Sequence, residues 1–174
     1  MFDRPRTSLG ILALLLFLPQ SIYVIGDYLA IGIRFPFFKV QLVLQAVNGT
    51  GNTTAVNTIA QPITIFREIQ YITAGMVGNI LGRTAVATYI WVAGLVILLL
   101  AAVLVFSWQV HDHDEHARYP GPLVIVSGGL FLLWGMVQYG PFLFGPDGYS
   151  IPIGVPLFWF IGYQFIRAAQ AEEE

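Results

Sequence analysis

The chain has 174 residues, of which 56% are hydrophobic and only 10% charged, with a mean hydropathy of +0.71. Soluble domains carry about 25% charged residues, so an ordinary water-soluble globule is excluded, as is disorder, which needs low hydrophobicity and high net charge. A formal charge of −2 leaves no field for nucleic acid, and zero cysteines remove disulfides, thiolate metal sites and cysteine catalysis. What remains is a small multi-pass membrane protein, one membrane domain over 1–174 with the lipid bilayer as its first partner.

A bilayer core asks for about 20 apolar residues per helix. The first qualifying stretch runs from Leu9 to Ile33, between Arg6 and Arg34. It is longer than a signal-peptide core and has no small-residue cleavage pattern, so it reads as a retained span, kinked at Pro19-Gln20. Gln20, Tyr23, Asp27 and Arg34 then share one helical face. This polar stripe must turn towards protein, because lipid cannot satisfy it.

Asp27 is the residue most out of place, since a carboxylate inside a span costs about 2.5–3.5 kcal/mol. One reading is a site for an ion, a proton or a ligand, closed by Thr88, Tyr89, Gln138, Tyr139 and Ser150 from the other spans. The other is an ion pair with Arg34 or Arg83 that locks helix packing. Asp27 sits roughly 9 Å from the span centre at 1.5 Å per residue, which favours the pair.

Residues 34–83 form a loop too long to be structureless. Phe38, Val40, Leu42, Leu44 and Ala46 alternate with Lys39, Gln41, Val43, Gln45 and Val47, a strand pattern. The turn formers Asn48 to Asn52 follow, then a weaker strand from Thr53 to Ala60, which together predict a β-hairpin. Two glycosylation sequons begin at Asn48 and Asn52. Beyond Gln61-Pro62 the period lengthens: Ile65, Ile69, Ile72, Met76 and Ile80 predict an amphipathic helix at the outer interface. The order of span, hairpin, interfacial helix and three more spans resembles the layout of claudin-type four-helix proteins. The first-loop tryptophan motif and cysteine pair of that family are absent, so no residue and no function carries over.

The second span is Thr84 to Ser107, followed by His111-Asp112-His113-Asp114-Glu115-His116. His111, His113 and His116 are candidate ligands for Zn²⁺ or Ni²⁺. No second cluster completes a site and no H-E-x-x-H motif occurs, so a solvated cytoplasmic turn is the favoured reading. The third span is Pro122 to Gly140 and the fourth Ser150 to Ile166. Gly26-x-x-x-Ala30, Ser127-Gly128-Gly129 and Gly135 offer close helix approach, with Trp108, Tyr119 and Tyr149 as interface anchors.

These readings sum to an all-α integral membrane protein, a bundle of four transmembrane helices with spans about 9–33, 84–107, 122–140 and 150–166. Basic residues divide four against four between the two sides, and the sequons break the tie in favour of cytoplasmic termini in the plasma membrane. No phosphate loop, nucleophile elbow or haem-ligating histidine pair occurs, so neither catalysis nor a cofactor is expected. The expected role is an interaction or accessory subunit acting through the outer loop, in a homo-oligomer or a membrane complex. The alternative is an oligomeric transporter or channel-like protein using the stripe around Asp27.

Overall fold

The structure, a computed structural model, describes residues 5–26, 30–48, 54–75, 82–111 and 119–171. It is a mixed α/β fold. Helix α1, Pro5–Phe17, leads into strands β1, Ser21–Ile25, β2, Ala30–Arg34, β3, Phe38–Asn48, and β4, Thr54–Thr64. Helices α2, Ile65–Thr73, α3, Arg83–His111, and α4, Pro120–Tyr139, follow. The short strands β5, Phe144–Gly145, and β6, Gly148–Ile151, precede helix α5, Val155–Ala171.

The all-helical four-span bundle is therefore corrected. The stretch expected as a first span ends its helix at Phe17, because Pro19 brings no N–H to continue the ladder. Ile22-Tyr23-Val24-Ile25 is β-branched and aromatic, a composition that suits a pleated surface. Gly26 takes φ 60 after β1 and Ala30 opens β2, so the two do not lie on one face of a helix. The expected fourth span fails for a similar reason. Tyr149-Ser150-Ile151 pairs with β1, and Pro152 and Gly154 delay the helix to Val155.

Two helices, Arg83–Ser107 and Pro120–Tyr139, are long and apolar enough to cross a membrane. Helix α1, with 13 residues, spans about 20 Å at 1.5 Å per residue, short of a hydrocarbon core of about 30 Å. The helices pack in a row, α1 on α3, α3 on α4 and α4 on α5. Leu12, Leu15, Trp91, Leu98, Val124, Phe131, Phe158 and Phe165 form their common core. Gly121 and Gly162 let α4 and α5 touch: a Cβ on Gly162 would lie 2.8 Å from the Gly121 carbonyl oxygen. Ser127 donates its hydroxyl to the Gly94 carbonyl of α3 at 2.8 Å.

The six strands form one antiparallel sheet in the order β4-β3-β2-β1-β6-β5. The alternating 38–48 segment does pair with 54–64, Phe38 opposite Thr64 through Asn48 opposite Thr54. It forms one end of a larger sheet rather than a free hairpin. The sheet sits across one end of the helix row, where α1 and α4 finish and α3 and α5 begin. Period-2 alternation sorts its faces. Ala30, Gly32 and Arg34 turn inwards, while Ile31 and Ile33 turn outwards. Gly32 is needed because the Tyr23 ring lies where its Cβ would be.

Candidate functional site

Register explains how a strongly charged cluster forms under the sheet. Arg34 on β2 stands directly opposite Lys39 on β3, two like charges side by side, a pairing that is destabilising by itself. Helix α2 supplies the counter-charge. Thr64 caps it, its hydroxyl accepting from the Arg67 backbone N–H, and this fixes the helix so that Glu68 turns inwards with Ile65 and Ile72. Glu68 Oε1 accepts from Lys39 Nζ at 2.8 Å and from Arg34 Nη2 at 3.1 Å. All three side chains are buried or nearly so.

The guanidinium is held from both faces as well. Its carbon lies 4.0 Å from the ring centre of Trp91 on α3 and 4.0 Å from that of Trp134 on α4. Cation–π contacts of this kind strengthen when desolvated, and Arg34 is only 3% exposed. One residue of the sheet is thus wedged between the two apolar helices. Gln20, Ser21, Arg34 Nε and Nη1, and Trp91 Nε1 are buried polar groups with no hydrogen-bond partner among the described residues. Gln20 and Arg34 are linked through their main chains, the Gln20 N–H donating to the Arg34 carbonyl at 2.7 Å.

Beside this cluster lies a cavity of about 290 Å³. Tyr23, Arg34 and Lys39 come to it from the sheet, Glu68 and Tyr71 from α2, Thr84 from α3, and Trp134, Gln138 and Tyr139 from α4. Tyr23 reaches Gln41 Oε1 only at 3.5 Å, and burial pushes its phenol above the ordinary range, so it stays a neutral donor. Burial pushes the Glu68 carboxyl up, but Arg34 and Lys39 beside it prevail and hold it below the usual carboxylate range. Burial, then repulsion from Arg34, lowers the Lys39 ammonium against the pull of Glu68.

Of the expected polar stripe, Tyr23 and Arg34 do share a face, but as inward positions of paired strands rather than turns of a helix. Gln20 lies between α1 and β1 and is buried. Asp27 lies outside the described residues, and so do His113, His116 and Asn52. His111 closes α3 and Asn48 closes β3, with their side chains outside the described set. Arg34 pairs with Glu68, and Arg83 pairs with Asp147 at 3.2 Å while donating to the Val137 carbonyl at 2.6 Å. Gln138 and Tyr139 line the cavity, Ser150 is buried in β6, Thr88 bonds its own helix at Thr84, and Tyr89 is exposed. Sequence reasoning missed Lys39 and Glu68 as site residues. Glu68 offered a signal, a lone acidic residue on the helix face of Ile65 and Ile72, whereas Lys39 falls in the polar set of its strand's alternation and offered none.

Residues 12–170 match the family model DUF7549, described as a family of unknown function. No curated protein and no solved structure matches the chain.

Proposed function

The chain belongs to DUF7549, whose model covers all but its ends, and from the geometry above we propose that it is a membrane-anchored, non-catalytic interaction subunit that associates with a second copy of itself. The observation that carries this is the outward face of the sheet. Ile151, Ile31, Ile33, Leu42 and Leu44 are each 37–51% exposed. Register makes them neighbours, with Ile31 opposite Leu42 and Ile22 linking Ile33 to Ile151. Among the described residues this face is apolar and uncharged, a contiguous patch of the sort that marks interaction sites. A surface without charge is complementary to itself, which suits an isologous two-fold pairing of sheets.

Two apolar helices support the membrane anchor, and α3 turns Val96, Leu100, Val103 and Phe106 outwards along its length. We place the sheet outside the plasma membrane and the 112–118 connection in the cytoplasm, in keeping with the sequons that begin at Asn48 and Asn52.

The test is the stoichiometry of the full chain in lipid nanodiscs, read by mass photometry. Ile33→Asp and Leu42→Asp alter side chains already exposed, so the fold should survive while a dimer falls to monomer. A wild-type chain that is monomeric, or variants that leave the dimer intact, would overturn the proposal.

A further inference from the structure

The cavity beneath the sheet stands apart from the outward face. We propose that it is a binding site for a small organic monocarboxylate, held by Lys39 and Tyr139 in the field of Arg34. Three observations converge on that chemistry. The described lining carries two cations, Arg34 and Lys39, against one carboxylate, Glu68. A surplus charge taken out of water calls for a counterion, and a surplus of one fits a singly charged ligand.

The donors are also in place. Lys39 Nζ spends one N–H on Glu68 and keeps two. Tyr139 is 2% exposed and lines the cavity, and Arg34 Nε and Nη1 are buried with no hydrogen-bond partner among the described residues. Buried donors ordinarily find a partner, and a carboxylate accepts from lysine, tyrosine and arginine donors alike.

Size and wall composition set the rest of the ligand. About 290 Å³ lies at the lower end of small-molecule sites, room for one ring or a short chain but not for a nucleotide. Trp134, Tyr71, Ile63 and Ile72 provide the apolar wall. Burial of the three charges strengthens recognition, because a charge-assisted hydrogen bond in a dry site is about twice as strong as a neutral one.

The experiment uses the full chain in phosphatidylcholine nanodiscs, with intrinsic tryptophan fluorescence and the thermal midpoint as readouts. Benzoate is the probe and benzyl alcohol its neutral counterpart. Benzoate should give a saturable change in emission and a raised midpoint, and benzyl alcohol should give neither. Tyr139→Phe keeps the ring and removes the hydroxyl, and should weaken benzoate about tenfold. Lys39→Gln should weaken it at least as much. Octanoate, a medium-chain lipid acid, separates the two sources of a carboxylate in the same discs: displacement of benzoate assigns the site to a lipid acid, and no displacement assigns it to a soluble aromatic one. The proposal is overturned by an unsaturable response to benzoate, by an equal response to benzyl alcohol, or by unchanged affinity in both folded variants.

Discussion

Arg34 is held by a carboxylate, two indoles and its own strand, and each contact makes a separate demand on a variant. Glu68 separates two cations that register places side by side, so Glu68→Gln leaves both buried without their partner. The expected loss is about 3–5 kcal/mol, measurable by urea unfolding, and Lys39→Met in the same chain should recover part of it. The pH dependence follows in sign. Glu68 has a folded-state pKa below its ordinary 4.5, so its contribution is complete above that value and is lost as pH falls through the lower one. Thermal midpoints should therefore drop below about pH 4 in the wild type, and Glu68→Gln should lack this component. Part of the cluster is legible from the sequence alone, since Tyr23 and Arg34 stand out as polar groups in an apolar run. Glu68 is not, because its role depends on the chain folding back across a sequence separation of 29 from Lys39, which no local pattern encodes.

At the scale of elements, glycine positions on the adjoining helices α4 and α5 separate packing from propensity. Gly162→Ala would drive a methyl group into Ile125 and the Gly121 carbonyl, costing about 1–3 kcal/mol as an overpacked contact. Gly129→Ala meets nothing within 4 Å, and should leave the thermal midpoint unchanged or raise it through the better helix propensity of alanine, about 1 kcal/mol. The same two scales explain which elements can be read in advance. Helices α3 and α4 and the 38–48 strand follow from unbroken apolar runs and strict alternation. The 9–33 stretch is ambiguous by hydropathy, because a buried strand and a membrane helix are equally apolar. What decides it is Pro19, the β-branched run from Ile22 to Ile25 and the positive φ of Gly26. A stripe at helical offsets and a shared face in a β-hairpin also select overlapping residues, which is how Tyr23 and Arg34 come together under either reading.

For the whole molecule, the absence of cysteine makes topology directly measurable. A single cysteine at Thr58, on an exposed position of β4, should react with an impermeant maleimide applied to intact cells. One at Asp114 should react only after permeabilisation, and the opposite pattern would invert the orientation. The arrangement of the sheet carries a further consequence, for synthesis. Strands β1 to β4 leave the ribosome first and form a meander, but β1 stands inside the finished sheet only because β6 joins its other side. Between those events the chain must complete α2 and the two long apolar helices α3 and α4, the interval from Ile65 to Asp147. During that interval the open side of β1 presents unpaired main-chain groups of the kind that recruit wrong strands. Assembly of the sheet is thereby made conditional on correct placement of both long helices, so that a nascent chain released before Gly148 cannot close its own edge.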